Sequence, residues 1–240
     1  MNIRYGGICL LALVLGMPVL ADEMEEVVVS ANRDSRIIDV IDALSVAPDA
    51  AQLLREAPGA NVNSNGPITA IPQYRGMYGP RIAVSLNGSM LAPAGPNWMD
   101  PPLSYAMTAQ LESLEIYRGI APVSVAQESL GGAIDAQTRR GEFGDSDNFA
   151  LSGRVMGSVQ SVNNGYQGDA ELLVSNLRHR VKLAAMAQDG DDAEFPDGDI
   201  SPTQYTRQRY DIGYGFRSGD HTVQFDYGYH DAGDSGTPAL

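Results

Sequence analysis

The stretch Val223-Gln224-Phe225-Asp226-Tyr227-Gly228-Tyr229-His230 decides the fold class. Every second residue is apolar, and Gln224, Asp226, Gly228 and His230 fall between. A β-strand points successive side chains to opposite faces, so this segment has one greasy face and one wet face. The pattern recurs across the last third of the chain. In strand one, 148–161, Phe149, Leu151, Val155 and Val159 oppose Ser152, Arg154, Ser158 and Gln160. Strand two, 166–176, shows Ala170, Leu172 and Val174, and strand three, 180–188, shows Val181, Leu183, Ala185 and Ala187. Strand four, 206–217, sets Tyr210, Ile212, Tyr214 and Phe216 against Arg207, Arg209 and Asp211, and strand five follows Ser218-Gly219-Asp220. A soluble sandwich shares this alternation. A membrane barrel is favoured by an export signal, by the absence of cysteine after it, and by a compact Gly-rich region ahead of the strands.

Loop lengths give a separate check. Outer-membrane barrels have short periplasmic turns and long external loops. If strand one rises from the periplasm, the connections after strands two and four are the short ones, and they are: Leu177 to His179, and Ser218 to Asp220. The connection after strand three, Asp189 to Tyr205, is long. Its aspartates Asp189, Asp191, Asp192, Asp197 and Asp199 lack EF-hand spacing and read as a solvated loop.

Residues 1–21 read as a secretory signal: Arg4, then the apolar run Ile8 to Leu15, then Val19-Leu20-Ala21 before the cleavage point. The run is too short to span a bilayer, which takes about 20 residues. Cys9, the one cysteine, lies inside it, so the mature chain has no disulfide and no Cys-ligated metal site. The formal charge of −14 becomes −15 once Arg4 leaves with the signal. Nucleic acid is a poor partner for such a chain, because phosphate contacts need Lys and Arg. Walker, Rossmann and His-Glu-x-x-His motifs are absent. The three histidines, His179, His221 and His230, all lie among the strands, and no nucleophile–base pair is seen, so enzyme function and a bound cofactor have no support.

Between these ends, residues 36–141 read as a small mixed domain. Ala47 to Ala57 predicts a helix opened by Pro48-Asp49, stopped by Pro58-Gly59, with Leu53 and Leu54 facing inward. Arg81 to Leu86 predicts a strand and Asn87-Gly88 a hairpin turn. Leu111 to Tyr117 suits a helix end running into a strand. Ser129 to Gly132 is a tight turn and Ala133 to Thr138 another strand. Ahead of the domain, Glu25-Glu26-Val27-Val28-Val29-Ser30-Ala31 is a β-branched run with nothing nearby to pair it. It is either the domain's own terminal strand or an edge for another protein's sheet.

These residues resemble TonB-dependent outer-membrane receptors. Glu25 to Ala31 looks like the TonB box. Leu53 to Val62 resembles the opening of the plug, and Tyr74-Arg75-Gly76 with Arg81 to Gly88 its Arg-Gly…strand…Asp-Gly pattern, Asn87 replacing Asp. Glu112-Ser113-Leu114-Glu115-Ile116-Tyr117-Arg118-Gly119 is similar to the family's E-x-I-E-V-x-R-G-P element, and Leu130-Gly131-Gly132-Ala133-Ile134 to its Gly-Gly-x-I-N strand. Ala121 and Gln127 depart from the pattern.

The resemblance implies an α+β plug domain followed by antiparallel transmembrane β-barrel strands. It divides the chain into a signal peptide (1–21), TonB box and linker (22–35), plug (36–141) and the first barrel strands (147–240). It also implies a Gram-negative outer-membrane protein in contact with lipid, with its plug reachable from the periplasm. TonB, acting with ExbB and ExbD, would pull on Glu25, Glu26, Val27, Val28, Val29 and Ser30. A complete barrel of the family has 22 strands, needing about 220 residues before loops and plug. Only 94 residues run from Asp147 to Leu240, enough for five strands. The expectation is a truncated receptor, poorly soluble as 22–240 because five strands expose two edges and an apolar face. No additional N-terminal signalling domain fits between Asp22 and Arg36.

The segment Pro96-Asn97-Trp98-Met99-Asp100-Pro101-Pro102-Leu103-Ser104-Tyr105 resembles the plug apex of receptors assigned to copper. Thiol, thioether and imidazole ligands suit Cu(I). Here Gly95 stands in the Cys position and Trp98 in that of the His, leaving Met99 as the candidate metal ligand. The expected substrate-binding residues are Met90, Trp98, Met99, Tyr105 and Met107. The methionines also suit irregular packing. Trp98 points to an organic ligand, because an aromatic ring gives stacking area with a polar handle. The leading expectation is import of a scarce metal chelate, siderophore-like, with copper second. A secreted β-sheet binding protein and a passive porin-like channel are the readings from other classes.

Overall fold

The computed structural model describes residues 35–39 and 48–238. The signal segment 1–21 and the TonB-box residues 25–30 lie outside these described residues. Among the described residues, the first part of the chain contains eight strands: β1 (Ser35–Asp39), β2 (Ala60–Ser64), β3 (Ala70–Tyr74), β4 (Met77–Tyr78), β5 (Ala83–Leu86), β6 (Ser89–Leu91), β7 (Leu111–Arg118) and β8 (Gly132–Thr138). They form a mixed sheet in the order β1-β7-β8-β5-β6 and a small sheet β2-β3-β4. β5 runs parallel to β8; the other pairings are antiparallel.

Local chemistry accounts for most of these elements. Asn87 (φ 53°) and Gly88 (φ 81°) both have positive φ, as a tight two-residue hairpin turn requires, and they join β5 to β6. Asn87 also ties the hairpin to the neighbouring strand: its Oδ1 accepts the backbone N–H of Thr138 at 2.9 Å. The segment expected to be helical is a 3-10 helix, Ala50–Glu56, rather than an α-helix. Pro48 and Pro58 bracket too few residues for an α-helix to repay its nucleation. Asp49 caps it: one carboxylate oxygen accepts the N–H of Ala51 (2.9 Å) and the other that of Ala70 on β3 (2.8 Å). Leu111 to Tyr117 contains no helix; all of it is β7, preceded by a 3-10 turn at Thr108–Gln110. Leu53, Leu54, Leu111, Leu114, Ile134 and Val84 close one hydrocarbon core between the short helix and the sheet.

The second part is an open antiparallel meander. It comprises β9 (Ala150–Gln160), β10 (Gly165–Ser175), β11 (His179–Gly190), β14 (Tyr205–Ser218) and β15 (His221–Gly233), in the order β9-β10-β11-β14-β15. The expected alternation is present in three dimensions. Val155, Val159, Val223 and Phe225 expose 84, 83, 66 and 64% of their surface on the outward side. Near one end of that side, the His179 ring lies beside Phe149, Tyr214 and Phe216. Its Nδ1 and the Tyr214 hydroxyl share a 2.9 Å hydrogen bond. Such aromatic clusters border the apolar band of outer-membrane strands. His179 and His221 are the first residues of β11 and β15.

The long connection after β11 is solvated, as expected, but it is not all loop. It folds into its own hairpin, β12 (Ala193–Phe195) with β13 (Gly198–Ile200). Asp192 holds its base, accepting the N–H groups of Thr203 (2.6 Å) and Gln204 (2.9 Å). Thr203 first, then the Ser201 hydroxyl and Gln204, hold its carboxyl below the usual range.

The inward side of the meander meets the first part of the chain through long basic side chains. Arg207 donates to the carbonyl of Ser104 (2.9 Å), Arg209 to that of Tyr105 (3.0 Å) and Arg180 to that of Gly141 (2.7 Å). Lys182 reaches the carbonyl of Arg139, and Arg154 that of Ala109. Five strand cations thus end on backbone carbonyls, and a charged donor makes a stronger hydrogen bond than a neutral one.

Candidate functional site

The turn 95–99 is pinched at its base by a two-residue bridge. Ala94 N–H donates to Asp100 O (2.9 Å) and Asp100 N–H to Ala94 O (3.0 Å). The chain must then reverse within five residues. Gly95 does so at φ 71°, but Asn97 (φ 52°) and Trp98 (φ 58°) also lie in the left-handed region. For a side chain as bulky as tryptophan that is a costly conformation. It lays the Trp98 indole over Gly79, where an added Cβ would sit 3.0 Å from the ring. The Tyr78 ring stands edge-on to it, centroids 5.4 Å apart at 69°.

Two clefts open on either side of Met99. One is lined by Trp98, Asn97, Tyr78, Asn63, Asn65 and Gln73, together with Met99. The other is lined by Met99, Asp100, Ser104, Tyr105, Arg207 and His230. In the second, the Tyr105 hydroxyl donates to Asp100 (2.9 Å), and the Tyr105 ring packs edge-on against His230 at 5.4 Å. Burial, reinforced by the hydrogen bond and charge of Asp100, pushes the Tyr105 hydroxyl above its ordinary value. Arg207 is 1% exposed and donates to Gln188 (2.7 Å) as well as to Ser104. Its charge also acts on Asp49, which is fully buried.

Of the residues expected to meet a substrate, Trp98, Met99 and Tyr105 are brought together around this turn. Met90 is half exposed on β6, opposite Ser85, and lines neither cleft. Met107 is 0% exposed and presents nothing to a ligand in this structure. Met99 is joined in its cleft by His230, which the sequence had left without a role. Alternation alone puts His230 on the inward side, paired with Arg209 in register, but does not say which part of the first domain it faces. Asn63, Gln73 and Tyr78 gave no sequence signal, because they belong to short strands of the small sheet. Among the described residues, no group of three or more His, Cys, Asp and Glu side chains is placed to hold a metal ion.

A family model described as the TonB-dependent Receptor Plug Domain matches residues 37–133. A search of curated protein sequences finds no match. Among solved structures, the chain is similar to the copper transporter OprC, with 23% identity and a TM-score of 0.67 over 82% of this chain and 30% of that one. It is similar to the FrpB iron transporter from Neisseria meningitidis, with 16% identity and a TM-score of 0.63 over 82% and 32%. It is also similar to the pyoverdine outer membrane receptor FpvA from Pseudomonas aeruginosa, with 14% identity and a TM-score of 0.62 over 83% and 28%. The chain spans about a third of the length of these proteins. Residues 37–133 thus match the TonB-dependent receptor plug domain, and the chain shares its fold, a small mixed domain followed by antiparallel strands, with the matching part of these solved structures.

Proposed function

We propose that the protein acts in TonB-dependent import of a scarce metal chelate across the outer membrane of a Gram-negative bacterium. On this reading residues 36–141 are the plug, and the strands from residue 147 onward face lipid with their apolar side. Glu25, Glu26, Val27, Val28, Val29 and Ser30 pair with a sheet of TonB, which ExbB and ExbD energise from the inner membrane. A pull on that segment is transmitted along main-chain hydrogen bonds.

The observation that carries the proposal is a separately cored domain seated against the polar side of strands whose other side is greasy. A passive channel has no use for such a domain. A secreted β-sheet binding protein gives no account of an apolar outward face of this extent. The test is uptake of candidate ferric chelates by cells carrying the full gene, with and without TonB. Accumulation that requires TonB is expected, and equal accumulation without it would refute the coupling.

Copper is a second reading, and one observation favours it. Met99 lines the same cleft as His230, whose Nε2 is buried with no hydrogen-bond partner among the described residues. Thioether and imidazole are ligands that Cu(I) accepts. If Met99 ligates copper, Met99→Ala abolishes Cu(I) binding by the purified receptor, and a receptor that binds no Cu(I) before mutation ends this reading. One structural neighbour is a copper transporter and others are iron or pyoverdine receptors, all at identities where only fold is shared.

A further inference from the structure

We propose that the Trp98 cleft selects an uncharged ligand: a neutral chelate, or neutral organic cargo of similar build, with a flat face for stacking and hydroxyl, amide or carbonyl groups at its edge. The proposal rests on the transport reading above and deepens it by naming the charge class of the cargo.

Three observations point the same way. First, Trp98 is held in a conformation that its backbone disfavours, with Asn97 beside it in the same region and Tyr78 bracing the ring. Strain of this kind persists where the surroundings impose it, and it is concentrated at binding sites. What it achieves here is a partly exposed indole lining the cleft, its inner side pinned on Gly79. Second, the polar fringe is made of carboxamides. Asn63, Asn65, Gln73 and Asn97 line the cleft. A carboxamide offers both donor and acceptor, which matches hydroxyl and carbonyl groups. Third, no described residue lining this cleft carries a charge. A multiply anionic ligand entering it would lose hydration without meeting a cation, in a chain whose formal charge is already −14. The buried Arg207 lies in the neighbouring cleft and not in this one; its Nε donates to Gln188 and its Nη1 to Ser104, while its Nη2 has no partner among the described residues.

The chain has a single tryptophan, so its emission reports this cleft alone. The protein is folded into detergent micelles and titrated with two ferric probes, a neutral tris-hydroxamate complex and a triply anionic tris-catecholate complex. Saturable quenching is expected with the neutral probe at an affinity at least about 10-fold above that for the anionic one. Gln73→Lys, an exchange at the cleft margin, is expected to raise affinity for the anionic probe by about 10-fold while leaving the neutral probe within about twofold. Equal or tighter binding of the anionic probe to the unmutated protein overturns the proposal, as does no saturable quenching by either.

TonB-dependent uptake of both probes by cells with the full gene separates this failure from failure of the transport reading. Uptake of the catecholate alone overturns the charge assignment and keeps transport. Uptake of neither, with selective quenching by the neutral probe, keeps the cleft assignment and removes transport.

Discussion

Around Leu53, Leu114 and Ile134 the buried space of the plug is hydrocarbon throughout, each side chain at most 1% exposed. Around Arg207, Gln188 and Asp49, where the plug meets the strands, the space is as tightly closed and almost wholly polar, at 1, 2 and 0%. The first region is held by non-directional burial, and any side chain of suitable volume contributes. The second is held by donors aimed at particular carbonyls, and each bond exists only at one relative placement of plug and strand. Hydrogen bonds of this kind exchange for water at small net cost once water can reach them. A domain that keeps its own shape yet separates from its surroundings under load needs this division: hydrocarbon inside, directional polar contacts at the seam.

The largest effect should come from the seam's most buried charge. Arg207→Ala leaves Gln188 and the Ser104 carbonyl without this donor and removes the positive charge that acts on buried Asp49, and breaking a buried charge arrangement costs about 3–5 kcal/mol. Denaturant unfolding of the protein in micelles, followed through Trp98, measures it. A cost below about 1 kcal/mol would mean that water already enters the seam, and the contrast with the core would be lost. Leu114→Ala removes hydrocarbon from the plug core and should cost about 2–5 kcal/mol by the same measurement. Unlike Arg207→Ala, it should leave the plug's contacts with the strands in place.

Gly79→Ala tests the apex. A left-handed conformation at φ 62° costs an alanine about 1–2 kcal/mol, and its methyl would press on the indole. A shift in Trp98 emission should accompany the lost stability; unchanged emission would detach the ring from Gly79.

The pH dependence of Asp49 sharpens the comparison further. Burial raises its carboxyl above the ordinary value, with the Arg207 charge and the Ala51 and Ala70 N–H groups opposing. The folded state therefore binds this proton more tightly than the unfolded one. The resulting stability is fully present below the unfolded pKa and is lost as pH rises through the folded pKa. The stability of the unmutated protein relative to Asp49→Asn should fall as pH rises from below the ordinary Asp range. A difference that rises with pH would show that Arg207 outweighs desolvation. The smallest effect belongs to Arg140, which faces Asp226 at 3.4 Å with side chains 36 and 39% exposed. Arg140→Gln should cost no more than about 1 kcal/mol, because solvent screens the pair.

The parts of this fold legible in the sequence are those with a short physical period or an obligatory backbone residue. Alternation located the faces of β9, β10, β11, β14 and β15 because side-chain direction in a strand repeats every two residues. Asn87-Gly88 announced its turn because few residue pairs accept two positive φ values. The small sheet was not legible. β4 is two residues long, and β3 carries Pro72, which reads as a break in a strand. The segment 189–205 looked like a polar loop because the bonds from Thr203 and Gln204 to Asp192 leave no periodic trace.

The apex divides the same way. Sequence placed Trp98, Met99 and Tyr105 in one stretch, and the fold gathers them at one turn. It could not separate Met107 from Met99, because burial of a methionine depends on what packs over it and not on its neighbours in the chain.

Which side of each long strand carries the apolar residues was thus set by residue order alone, since the pleat fixes it locally. Which polar group meets which was decided only by docking. Arg207 finds the Ser104 carbonyl 103 residues away, and His230 comes to share a cleft with Met99, because plug and strands close on each other in one register. Contacts between distant segments depend on where rigid elements come to rest, and no local pattern of residues encodes that.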